Sequence, residues 1–353
     1  MKSIAKERDT SFDVLKGILI LSVVLGHIRG GVIGRIIYMI HMPGFFLVSG
    51  YFFNIKGKEG FDKYFINLCK RIWIPYISYN FFFIILHNFF SKFNLLFEQG
   101  PYGFNEIVNR FLDVILFGAS EQMAGAFWFL KILFQMSIVY FIIYRYIKKE
   151  WIRNIIIFLL ILYGQYLSRR QIVLWNNFNS IASGIMFLHI GNLFKRYNNE
   201  KKINIIGVAV SLIIFIIAFI NGEVLSILDN YYGFKPMLNV LAAIGGTYIL
   251  LYISKNILNK SNILKYLGMN SIKIMAWHFV GLKLLTVIIS LIKSEYSLLA
   301  SFPVIQHDSI ILTIMYLIVS VLFCIIMIKV ENNVGKKIKQ VSESGFLNEI
   351  LNF

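Results

Sequence analysis

The sequence predicts an all-α integral membrane protein, a bundle of about ten transmembrane helices with both termini cytoplasmic. Composition makes the first case: of 353 residues 58% are apolar and 15% charged, at a mean hydropathy of +0.69, too oily for ordinary water-soluble domains. Spacing makes the second, because ten apolar stretches approach the ~20 residues that cross roughly 30 Å of hydrocarbon. Charge makes the third. The +17 balance is not gathered into one patch or arm, which argues against nucleic acid as a partner. It falls in small basic clusters between the apolar runs, as membrane topology requires.

The ten stretches run approximately 11–29, 34–54, 72–90, 127–146, 151–168, 178–195, 203–221, 236–254, 271–292 and 309–329. With the N-terminus inside, the inner segments hold 23 Lys and Arg and the outer segments 8. That bias is the one expected of cytoplasmic loops, and a miscount of one helix in the middle would scramble it. The first run carries Asp13 and Lys16 and lacks a small-residue cleavage pattern, so it reads as an uncleaved helix rather than a signal peptide. Residues 1–10 form a cytoplasmic N-terminal segment and 330–353 a cytoplasmic tail. Within the outer connection 91–126, Asn105 to Gly118 is partly apolar and reads as an interfacial helix or a cap on an external cavity. No internal repeat or linker divides the chain, so 1–353 reads as a single domain. Two isolated cysteines, Cys69 and Cys324, make neither a disulfide framework nor a metal site.

Ionisable side chains inside a span are costly and mark working sites by default. The first helix holds Asp13, Lys16 and His27 on one face: at 100° per residue Lys16 and His27 lie about 20° apart, with Asp13 about 40° to the other side of His27. Eleven steps place His27 roughly 16 Å beyond Lys16 along the axis. A plain structural account is open, with Asp13 and Lys16 as an interfacial ion pair and His27 closing the outer end of the helix. In the second helix, His41-Met42-Pro43-Gly44 introduces a proline that opens the backbone ladder, and Ser49-Gly50 permits close helix approach.

Taken together, Asp13-Val14-Leu15-Lys16-Gly17, ten residues between Lys16 and His27, His41-Met42-Pro43, Phe45-Phe46 and Ser49-Gly50-Tyr51 resemble membrane acyltransferase family 3, its fucose O-acetylase-like branch most closely. Further points of likeness are Arg71 to Pro75-Tyr76, Trp128-Phe129-Leu130, Leu267-Gly268, Asn270-Ser271 and His278. Lys16 stands where arginine is more usual, which keeps the charge and loses bidentate geometry. The paired arginines ahead of the third helix appear as Lys70-Arg71.

The resemblance implies a multi-pass O-acyltransferase of a bacterial-type plasma membrane. It would take acetyl from cytoplasmic acetyl-CoA, or another acyl-CoA, to a hydroxyl of a cell-surface or lipid-linked carbohydrate, with no metal. It implies His27 as general base: as a neutral imidazole it accepts the hydroxyl proton and returns it to the departing thiolate. Lys16, Lys70 and Arg71 are the expected donor contacts at the inner face. His41, Trp128 and His278 are the expected acceptor contacts. Asp13 orients Lys16, and Ser49 serves packing rather than attack, since no local base accompanies it. The remaining histidines, His87, His189 and His307, read as structural or interfacial. The competing class is a transporter or flippase for glycolipid or polysaccharide precursors. Such proteins show paired halves, and no second copy of the Asp13, Lys16, His27 pattern occurs.

Overall fold

The computed structural model describes residues 9–54, 60–118, 121–172, 174, 178–197, 203–222, 225–228, 230–233 and 235–343. These form α1 (Ser11–Ile28), α2 (Gly31–Phe52), α3 (Phe61–Leu68), a π turn (Cys69–Trp73), α4 (Ile74–Lys92), α5 (Phe104–Ile115), α6 (Trp128–Tyr146), α7 (Glu150–Arg169), α8 (Ser180–Tyr197), α9 (Ile205–Ile220), α10 (Pro236–Asn256), α11 (Asn262–Met269), α12 (Ser271–Lys293) and α13 (Ile310–Glu343), with 3₁₀ turns at Gln122–Phe127 and Tyr296–Ala300. Among the described residues the one extended pairing is the bridge Ser226–Tyr231. A backbone without water must satisfy its polar groups within the segment, which makes helices even of β-branched runs such as α9.

Every predicted span falls on a helix, and seven helices are long and apolar enough to cross a membrane: α1, α2, α6 with its leading 3₁₀ turn, α7, α10, α12 and α13. The chain is a multi-pass membrane protein. Helix α9 has 16 residues, about 24 Å at 1.5 Å per residue, which is shorter than the hydrocarbon. The N-terminal and C-terminal boundaries move at two places. The helical rod that was expected at 72 begins at Phe61, and α13 continues from the expected end at 329 through Glu343. Lys2, Lys6, Arg8, Lys56, Lys58, Lys201 and Lys202, which contribute to the charge bias, lie outside the described residues.

Helix α1 is the axis of the bundle, with Val14, Leu19, Ile20 and Val24 fully buried among α2, α10, α11, α12 and α13. Its closest crossing is with α11. A Cβ on Gly268 would lie 1.8 Å from the Asp13 carbonyl oxygen, and one on Gly17 would lie 2.2 Å from that of Leu264. Helices α2 and α8 meet the same way through Gly50 and Gly191. In a membrane such backbone-to-backbone approach replaces the hydrophobic drive that packs soluble helices.

Helix α13 buries Thr313 and the stripe Tyr316, Ser320, Cys324, Ile328, at intervals of four, and presents Ile311, Leu322 and Ile326 outward as it packs on α12. Helix α5 is strongly amphipathic and lies on α4, with Phe111 edge-on to Phe81 at 4.5 Å. Just past its C-terminus, the carbonyls of Phe117 and Gly118 accept from the buried Lys131 Nζ at 3.1 and 3.4 Å. Lys283, also buried, donates to the carbonyls of Leu299 and Ser301 at 2.6 and 2.5 Å. Lys131 and Lys283, two of the lysines that fall within the predicted spans, are thus held by backbone carbonyls of short connecting segments on the face where α1 ends.

Candidate active site

A cavity of about 1120 Å³ enters the bundle on the face where α1 begins. Its cations are Lys16, Lys63, Arg71 and Lys273, and its rim residues Asp9, Asn54, Lys63, Asn67 and Arg71 are exposed. The site grows out of three local features. The first is the start of α1, where Lys16 Nζ lies 2.9 Å from Asp13 Oδ1, with the carboxylate nearly buried. Asp13 therefore touches Lys16, as expected of an orienting residue.

The second feature is the π turn. Pro75 has no N–H to return to the Arg71 carbonyl, and its ring crowds that carbonyl, so the helix widens just before it. The Ile74 N–H reaches back five residues to the Cys69 carbonyl. The widened turn sets Arg71 on the cavity side, while Lys70 is exposed and outside the lining. Of the two expected donor contacts on this turn, the structure places one in the cavity. On the expectation of an acyl-CoA donor, Arg71→Ala should weaken binding of acetyl-CoA about tenfold, and Lys70→Ala should leave it within about twofold, as read by equilibrium binding in detergent; equal effects would assign both to general surface charge.

The third feature is the break at Asn270 between α11 and α12, where Met269, Asn270, Ser271 and Ile272 line the wall. Beside it, Glu331 of α13 accepts from Tyr79 Oη at 2.7 Å and Trp277 Nε1 at 2.6 Å, and pairs with Lys273 Nζ at 3.2 Å. One carboxylate thus ties α4, α12 and α13 together around the cavity, and two of its partners, Tyr79 and Lys273, line it.

The inner end of the cavity is made by Phe45, Leu130 and Met275, all buried. Ser49 lines the wall near them and donates its hydroxyl to the Phe45 carbonyl at 2.8 Å, consistent with a packing and helix-bonding residue. His27 does not line the cavity. It lies beyond this end, with its ring 5.3 Å from His278 and 4.7 Å from Phe279, centroid to centroid. His278 is fully buried one helical turn past Met275, and its Nδ1 lies 2.8 Å from the Met275 carbonyl. His41 is also buried, with Nδ1 2.7 Å from the Ile37 carbonyl. The link between α1 and α2 is two residues, Arg29 and Gly30, and Gly26 faces Ile37 while Gly44 faces Leu19. That register sets His41 roughly 7 Å deeper along the bundle than His27.

The structure thus brings His27, His41 and His278 into one cluster, and Lys16, Asp13, Ser49 and Arg71 into the cavity on its other side. Trp128 opens α6, half-buried against the core. Its neighbours Phe129 and Leu130, not its own ring, line the cavity. Among the lining residues not singled out from the sequence are Lys63, Asn67, Tyr79 and Lys273. The spacing of Lys63, Asn67 and Arg71 at intervals of four was the available signal, since it marks one face of a helix running back from Pro75. His87, His189 and His307 lie outside the cluster. His87 bridges Glu121 and the Gly100 carbonyl at 2.9 Å each and stacks on Tyr102, a structural arrangement.

These features define a membrane enzyme whose cationic inner cavity and histidine cluster are separated by a thin apolar partition. Residues 9–329 match the acyltransferase 3 family, described as an acyltransferase domain, and the chain belongs to that family. Over 59 residues it is 48% identical to the nodulation protein NolL of Sinorhizobium fredii (strain NBRC 101917 / NGR234), a stretch covering 13% of this chain and 16% of NolL. No solved structure matches the chain.

Proposed function

We propose that the protein transfers an acyl group, acetyl in the first instance, from an acyl-CoA to a hydroxyl of a cell-envelope carbohydrate. The observation that carries the reading is the alignment of a cation-lined cavity with a histidine cluster one helical turn past its inner end. At about 1120 Å³ the cavity exceeds the usual range for drug-sized ligands, which suits a long donor. The basic rim suits the phosphates of a nucleotide, whose charge cannot enter hydrocarbon, and the apolar inner end suits the uncharged pantetheine arm. The charge bias supports ten crossings with both ends cytoplasmic, which puts this cavity on the side where acyl-CoA is found. The sequence resemblance to the fucose O-acetylase-like branch supports a sugar acceptor.

In this reaction the acceptor oxygen attacks the thioester carbonyl carbon and its proton passes to a ring nitrogen of His27. The carbon–sulfur bond then breaks, and the same proton goes to the thiolate, giving the O-acyl sugar and free coenzyme A. Lys16 and Arg71 hold the donor, with Asp13 fixing Lys16. For the thioester to reach His27, the side chains of Phe45, Leu130 and Met275 must part.

The test is direct. Purified protein with labelled acetyl-CoA should bind it, and Lys16→Gln should raise the donor dissociation constant about tenfold. Absence of donor binding by the intact protein overturns the reading. Mass spectrometry of surface glycans with and without the protein should show the added acyl mass.

A further inference from the structure

The His278 ring is in an unusual state for a buried polar group. A carbonyl oxygen only accepts hydrogen bonds, so the Nδ1 facing Met275 carries the hydrogen, and in the neutral ring Nε2 is a bare lone pair. That Nε2 is buried and has no hydrogen-bond partner among the described residues. Buried polar atoms are nearly always paired, and leaving one unpaired costs about 1–3 kcal/mol. The site therefore asks for a donor that the protein does not supply. His41 repeats the arrangement: its Nδ1 is spent on the Ile37 carbonyl, leaving Nε2 as the acceptor. The two rings flank His27, whose own ring makes no hydrogen bond to a described residue and whose electrostatic neighbours are these two histidines.

His278 and His41 each offer a fixed acceptor nitrogen, and among the described residues no carboxylate pairs with any of the three rings. A cationic amine would enter the cluster without a counter-charge, which is costly at this depth. An uncharged hydroxyl donor matches it. We propose that His278 Nε2 is an acceptor-binding group that takes a hydrogen bond from a second hydroxyl of the carbohydrate, next to the one His27 deprotonates. The acceptor is then a neutral compound with neighbouring hydroxyls, a vicinal diol, rather than an isolated alcohol or an amine. This inference rests on the acyl-transfer reading and adds the substrate class.

The experiment uses detergent-purified full-length protein, labelled acetyl-CoA and a panel of methyl hexosides, methyl 6-deoxyhexosides and methyl N-acetylhexosaminides. The best acceptor is then compared with its monodeoxy analogues, each lacking one hydroxyl beside the acylated position. For the wild type, one analogue should lose at least about tenfold in kcat/KM, since a site built to bind a hydroxyl rejects the analogue lacking it. His278→Asn keeps an amide N–H for the Met275 carbonyl and removes the Nε2 acceptor. It should turn over parent and analogue equally, through a raised KM for the parent, with donor binding unchanged. His278→Gln places an amide oxygen near the Nε2 position and should restore discrimination. The proposal is overturned if His278→Asn discriminates as the wild type does, or if protein that binds acetyl-CoA acylates none of the glycosides. Failure of the wild type to bind acetyl-CoA overturns the acyl-transfer reading instead.

Discussion

His27→Ala should lower acyl transfer by about a thousandfold or more while leaving the donor dissociation constant within about twofold. The magnitude follows from the proposed role: a positioned general base contributes on the order of 10²–10⁴ in rate. The selectivity follows from geometry. His27 lies beyond Phe45, Leu130 and Met275, so the cavity proposed to hold the donor does not include it. Its ring packs on His278 and Phe279, and truncation removes contacts at one end of α1 without touching the Asp13–Lys16 pair at the other. Turnover and equilibrium donor binding, measured on the same preparation, separate the two effects. Transfer at the wild-type rate by the purified variant would remove His27 from the chemistry.

Gly268→Ala should be strongly destabilising for a single added methyl group. The added carbon would sit 1.8 Å from the Asp13 carbonyl oxygen, a main-chain atom that cannot rotate aside. Overpacking costs about 1–3 kcal/mol where side chains can yield, and here α1 and α11 must separate as rigid rods. A fall in melting temperature of roughly 5–10 °C in detergent is the expected result. Because Asp13 holds Lys16, the shift also carries into the cavity, and donor binding should weaken in protein that remains folded. Gly60→Ala is the matched control, since no atom lies within 4 Å of a Cβ built there. Equal melting temperatures for the two variants would show that the α1–α11 crossing is looser than the structure places it.

The helical nature of the chain, the position of nearly every long helix and the pairing of Asp13 with Lys16 are written in local features. Apolar length, the i,i+3 spacing and the basic clusters each act within one or two turns. What was not legible has longer range or broken periodicity. Phe61 to Leu68 carries Asp62 and Lys63 and reads as loop by hydropathy, yet it continues through the π turn into α4 and delivers Asn67 and Arg71 to the cavity. Adjacent residues Lys70 and Arg71 look alike in sequence, and only the register of that turn separates them. The meeting of His278 with His27 joins positions far apart in the chain, and the pattern that linked them was likeness to a family rather than periodicity. Glu331 was hidden because it lies just past the end of an apolar run, where a charge ordinarily marks the water boundary.

The partition of Phe45, Leu130 and Met275 has a consequence for the cell as a whole. A chamber that ran uninterrupted from one aqueous phase to the other would short-circuit the ion gradients on which the membrane's energy supply depends. With buried apolar side chains closing its inner end, the cavity stops short of the histidine cluster, and on the proposed function the bundle works like an airlock. On the proposed chemistry nothing larger than an acyl fragment crosses, and the barrier is breached only while the donor's own slender arm fills the gap.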